Sequence, residues 1–188
     1  MSGVSDWELV ARARAGDMNA FSELVVRYQM PVMQFCFRMV GSAQDAEEIA
    51  QDSFVRVFRH LHRVEPQAKF STFLFGIARN LALNSLRDAK RAGRGVTQPL
   101  ETLGPVGDEL GRPDRLARRR EIESLIERGL ELLSEEHREV LVLRELNGMD
   151  YETIARIVRC RKGTVKSRLA RAREQLRVHM ISLGGELL

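Results

Sequence analysis

The sequence predicts an all-α protein: two small helical domains joined by a flexible linker, the second containing a helix-turn-helix. Three observations carry this. Apolar residues recur at helical spacing in both halves, with no run of strict alternation rich in β-branched residues. Between Ala92 and Pro113 lie five of the fourteen glycines and three of the five prolines, with few large apolar residues, which is linker composition. A chain of 188 residues, 44% hydrophobic and 30% charged, has the material for two small cores.

The elements follow in order. Asp6 to Ala15 predicts a short helix ended by Gly16, and Asp17 is placed to cap the next one. That helix carries Ala20, Phe21, Leu24, Val25 and Tyr28 on one face. Pro31 should break or kink it before Val32, Phe35 and Met39 resume the pattern. A third helix, Asp45 to Leu61, has the apolar stripe Ala46, Ile49, Ala50, Phe54, Val57, Phe58 and Leu61, which leaves Glu48, Asp52, Val55 and Arg59 on the opposite face. A fourth, Ser71 to Lys90, buries Phe73, Leu74, Ile77 and Leu81.

After the linker, Ile122, Leu125, Ile126 and Leu130 mark a helix. Ser134 caps another, with Val140, Leu141 and Leu146, which Asn147-Gly148 ends. A short helix with Ile154, Ala155, Ile157 and Val158 leads into the turn Cys160-Arg161-Lys162-Gly163 and then a basic helix from Thr164.

No apolar run approaches the ~20 residues that span a bilayer, and Met1 to Glu8 has neither the basic start nor the apolar stretch of a signal peptide. A soluble, cytoplasmic chain without membrane insertion of its own is expected. Two cysteines, Cys36 and Cys160, are too few for a disulfide framework and are read as small core residues.

The formal net charge of +4 is unevenly spread. Arg156 to Arg177 holds nine Lys or Arg against one acid, Glu174, leaving the rest of the chain net negative. A second basic group, Arg79, Arg87, Lys90, Arg91 and Arg94 against Asp88, closes the first half. Two separate basic surfaces point to a polyanion touched twice. On the last helix Val165, Leu169, Ala172 and Leu176 form a narrow apolar stripe. Lys166, Ser167, Ala170, Arg171 and Glu174 remain outside it, short polar groups and long cations suited to base edges in a major groove. Arg161, Lys162, Arg168, Arg173 and Arg177 flank this set within reach of phosphates, and Thr164 with its neighbouring backbone N–H groups offers a further phosphate site.

Leu143-Arg-Glu-Leu-Asn-Gly148, Tyr151-Glu-Thr-Ile-Ala155 and Gly163-Thr-Val-Lys-Ser-Arg-Leu-Ala-Arg-Ala-Arg-Glu174 resemble the C-terminal domain of a bacterial sigma factor. In the first half, Asp17 to Tyr28, Asp45-Ala-Glu-Glu-Ile-Ala-Gln-Asp-Ser-Phe54 and Phe70-Ser-Thr-Phe-Leu-Phe-Gly-Ile-Ala-Arg-Asn-Leu-Ala82 are similar to the promoter-melting domain of the extracytoplasmic-function (ECF) group. The matched segments cover most of the chain outside the linker.

The resemblance implies an alternative sigma factor with region 2 at residues 5–92, a linker at 93–114 and region 4 at 115–183. It implies that Glu48, Gln51, Asp52 and Arg56 bind the RNA polymerase core, and Val55, an apolar residue on that charged face, suits a protein partner. It implies that Arg63 to Arg87 recognises and opens the −10 element, with Asn80 receiving an unstacked base and Asn84 and Arg87 further along. An amide both donates to and accepts from a flipped base while cations hold the displaced strand. Arg63, Lys69 and Phe70 sit beside that recognition loop. The chain departs from the family pattern with Phe73 in place of tryptophan and Asn84 in place of a frequent aspartate, both bearing on promoter preference. Expected partners are core polymerase, promoter DNA and an anti-sigma factor.

An enzyme fails on inventory, since His60, His62, His137 and His179 are scattered and no phosphate loop, cysteine pair or nucleophile beside a base is present. No cofactor or metal is expected. A dimeric helix-turn-helix repressor, binding duplex unaided, and an interaction module with incidental basic charge are the remaining alternatives.

Overall fold

The computed structural model describes residues 4–63, 69–93 and 113–184, and every regular element among them is helical. Helix α1 (Asp6–Arg14) starts with a capping box: the Glu8 backbone N–H donates to Ser5 Oγ, and the Glu8 carboxylate accepts from the Ser5 N–H. Asp17 caps α2 (Met18–Val40), accepting from the N–H groups of Asn19 and Ala20. Pro31 does not break α2. Proline removes one N–H from the ladder, but buried residues on both sides, Leu24 before it and Val32, Phe35 and Cys36 after it, keep one helical path.

Ser42 caps α3 (Ala43–Arg59), which a 3₁₀ turn (Leu61–Arg63) follows. Arg14 Nε donates to the Leu61 carbonyl at 2.9 Å, fastening that turn to α1. Helix α4 (Phe70–Arg91) completes the first half, in which α1, α3 and α4 pack on α2.

The second half is α5 (Pro113–Glu131), α6 (Glu135–Leu141), a π-helical turn (Val142–Leu146), α7 (Tyr151–Val158) and α8 (Lys162–Ser182). Ser134 caps α6 and Asp150 caps α7. Leu146, expected on the buried stripe, is 47% exposed, because the π turn rotates the last residues of this stretch away from the core. The expected linker of 93–114 lies almost wholly outside the described residues.

The two halves touch. Helix α4 packs on α7, and the buried apolar residues of both halves form one continuous cluster. Polar ties cross the same seam: Arg138 donates to the Met39 carbonyl at 2.9 Å, Asn147 Nδ2 to the Pro31 carbonyl at 3.3 Å, and Lys90 pairs with Glu135 at 2.6 Å. Cys36 is fully buried and the absence of water around it pushes its thiol pKa up to about 12; Cys160 is half-buried.

Candidate nucleic-acid interface

Helix α8 is positioned by its apolar stripe. Val165, Leu169 and Ala172 are buried against α6 and α7, which turns Lys166, Ser167, Ala170 and Arg171 outward, all exposed. Arg161 and Lys162 are exposed at its start. The helix begins at Lys162, two residues before the expected start, so Thr164 lies within the first turn, where its carbonyl accepts from Ser167 Oγ at 3.0 Å.

Gly163 is therefore not a turn residue but part of the helix. The left-handed residue between α7 and α8 is Arg159, at φ 55° and ψ 47°. The signal that could have found it is positional: it follows the last apolar residue of α7, where a helix ends in the left-handed conformation.

Three flanking cations are already engaged. Arg168 turns back to Glu136 at 2.8 Å and lies 3.9 Å from Glu139. Arg173 is paired with Glu145 and Arg177 with Glu174, each at 2.6 Å, and each acid raises its partner's pKa. The Arg173 and Arg177 pairs are exposed, and exposed ion pairs are weak and exchange readily with other anions.

On α4, Asn80, Asn84 and Arg87 form one exposed strip, with Arg87 donating to Asn84 Oδ1 at 3.4 Å. Arg63 is exposed on the 3₁₀ turn, and the adjoining part of the expected recognition loop, 64–68, lies outside the described residues. Lys69 pairs with Asp150 at 2.8 Å. Phe70 does not face solvent at all: it is fully buried with its ring centroid 5.5 Å from that of Tyr28, so it anchors the start of α4 in the core and is not free to stack on a base.

Helix α3 presents Glu48, Gln51, Val55 and Arg56 to solvent, with Asp52 partly covered and paired to Arg56 at 3.0 Å. Val55 is 45% exposed. Phe58, expected in the core, is 43% exposed, because only one side of its ring is covered, by Phe21 at 5.0 Å between centroids. It widens the apolar centre of this face, and its spacing of three from Val55 was the available signal.

Between α4 and α8 sits a buried acid. Glu139, 1% exposed, accepts from Arg79 Nε at 2.5 Å and from a second Arg79 nitrogen at 3.1 Å. Burial raises the Glu139 pKa, while Arg79 and then Arg168 pull the other way. At the rim, the Lys69 hydrogen bond and then the Thr153 N–H hold the Asp150 carboxyl well below its ordinary range.

Comparison with known proteins agrees with this arrangement. Residues 24–92 match the model of Sigma-70 region 2, and residues 123–176 match Sigma-70, region 4. The chain is 36% identical over 181 residues to RNA polymerase sigma-H factor of Pseudomonas aeruginosa, covering 91% of each chain. It is 36% identical over 178 residues to ECF RNA polymerase sigma-E factor of Escherichia coli K12, covering 92% of this chain and 93% of that one. Among solved structures, CnrH in complex with the cytosolic domain of CnrY superposes with a TM-score of 0.67 at 26% identity, over 94% of this chain and 97% of that one. No helix among the described residues is long and apolar enough to cross a membrane. An exposed basic face on α8, a second polar strip on α4 and both family matches converge: the chain belongs to the ECF group of bacterial sigma factors, initiation factors without enzymatic activity that direct RNA polymerase to promoters.

Proposed function

We propose that this sigma factor reads the −35 element with α8 and opens the −10 element with α4, while α3 docks on the core polymerase. The observation that carries the reading is the face of α8 opposite Val165, Leu169 and Ala172, where Lys166 and Arg171 are exposed and paired with no acid among the described residues. Residues 5–92 act as the core-binding and melting unit, 93–114 as the tether and 115–183 as the −35 reader, in the cytoplasm where the polymerase works. Lys166, Ser167 and Arg171 contact bases, with Ala170 leaving room beside them. Arg161, Lys162 and the first turn at Thr164 hold phosphates, and Arg168 joins them by exchanging Glu136 for DNA. Asn80 takes the unstacked base, and Arg63, Asn84 and Arg87 hold the displaced strand.

The contact between the halves bears on how this works. The two promoter elements are about 25 base pairs apart, roughly 85 Å along the duplex. Here α4 and α8 both reach the single residue Glu139. The docked form therefore cannot engage both elements, and promoter binding requires the halves to separate, which also frees Lys69 from Asp150. A sequestering anti-sigma partner fits the same cycle: CnrH, of similar fold, is bound by the cytosolic domain of CnrY.

Two variants in reconstituted holoenzyme test the division of labour. Arg171→Ala should cost about 1–3 kcal/mol of promoter affinity and relax preference at one −35 position. Uniform weakening across sequences would place Arg171 on phosphate instead. Asn80→Ala should leave closed-complex formation intact and reduce permanganate reactivity at −10, and unchanged reactivity would remove Asn80 from melting.

A further inference from the structure

We propose that Arg159 is an additional phosphate contact of the −35 element, held by a backbone conformation that its side chain disfavours. Among the described residues it is the one non-glycine with positive φ; the others, such as Gly16, Gly41 and Gly148, are glycines. For an L-residue the left-handed region costs on the order of 1 kcal/mol, which glycine avoids. The turn holds Arg159 there firmly, because its own N–H and that of Cys160 both donate to the Ala155 carbonyl.

Those backbone bonds would form with glycine as well, and no side-chain contact among the described residues offsets the cost of an arginine there. The Arg159 side chain is exposed and makes no hydrogen bond or ion pair among the described residues. Neighbouring arginines behave differently: Arg156 pairs with Glu152, Arg168 with Glu136 and Arg173 with Glu145. In this segment the cations with no ion pair among the described residues are Arg159, Arg161, Lys162, Lys166 and Arg171, all exposed, from the turn onto the reading face of α8. Strain kept where it serves no internal contact points to an external one. At the edge of a base-reading helix, a flexible cation preceding the first turn meets the sugar-phosphate backbone before it meets a base.

This assignment rests on the reading of α8 as the −35 helix, and the experiment separates the two. Holoenzyme reconstituted from the full chain and bacterial core polymerase is bound to a promoter fragment across a salt series, with Arg159→Gly and Arg159→Lys beside the wild type. Glycine relieves the backbone, so the Arg159→Gly chain should melt no lower than the wild type. Its promoter affinity should nevertheless fall roughly fivefold at about 0.15 M salt, with the log–log salt slope smaller by about 0.9, equally for every −35 base substitution. Arg159→Lys keeps the charge and should retain affinity and slope. Arg159→Gly binding with wild-type affinity and slope overturns the proposal, as does an Arg159→Lys loss confined to one base position. A wild-type holoenzyme with no −35 preference overturns the reading of α8 and this assignment together.

Discussion

Arg79 on α4 and Glu139 on α6 form a two-pronged ion pair across the seam between the halves, with the acid 1% exposed and the arginine side chain 15% exposed. Arg79 is the residue immediately before Asn80, so the helix assigned to melting is fastened to the second half one residue from its proposed base-capturing group. Such a pair stabilises little in net terms, because both charges lose water, but breaking it on one side leaves an uncompensated buried charge.

Arg79→Ala should therefore lower the stability of the free chain by about 3 kcal/mol and loosen the docking of the halves. Thermal unfolding and small-angle scattering check this: the radius of gyration rises as the docked form gives way. A variant with the wild-type melting temperature and dimensions would show that this pair is not what holds the halves together.

Asp150 makes a pH-dependent contribution of predictable sign. Its carboxyl caps α7 through the Thr153 N–H at 2.7 Å and receives Lys69 at 2.8 Å, and it is held below its ordinary value. A lowered folded-state pKa gives stability that is complete above about pH 4 and is lost as pH falls through the lowered value. Asp150→Asn keeps a capping oxygen and loses the charge. The melting-temperature difference between wild type and Asp150→Asn should favour the wild type at neutral pH and close as the medium is acidified below about pH 4; a gap constant over that range contradicts the assignment.

The face of α3 should lose its polymerase without losing its fold. Val55 and Phe58 are both more than two-fifths exposed, so Val55→Asp removes an apolar contact that the free chain does not use. Binding to core polymerase, read by co-elution or competition with another sigma factor, should drop at least tenfold while the melting temperature stays close to wild type. Undiminished core binding would place the docking surface elsewhere.

The parts of this fold that were legible in the sequence are those fixed by periodicity. Val165, Leu169 and Ala172 determine which way α8 faces, and with it the outward set Lys166, Ser167, Ala170 and Arg171. The exposed side of α3 followed from its stripe in the same way, apart from Phe58, a large ring at the stripe's edge that one neighbour covers on one side only. Long-range pairings were not legible. Glu135, Glu136 and Glu139 are chemically alike along one short helix, and only the partner sixty residues earlier makes Glu139 the buried one. Phe70 looked available beside a recognition loop because nothing local shows that Tyr28 covers it. Gly163 drew the turn toward itself since glycine is the usual left-handed residue, whereas here Arg159 takes that conformation.

The most direct test of the account is transcription in vitro from a genomic fragment library by purified bacterial core polymerase, with and without this protein, with every start mapped. The account predicts new starts that depend on the protein and share two elements at fixed spacing, near −35 and −10, one for each reading helix. Folded protein that yields no new starts, yet retains specific duplex fragments on its own, would contradict it.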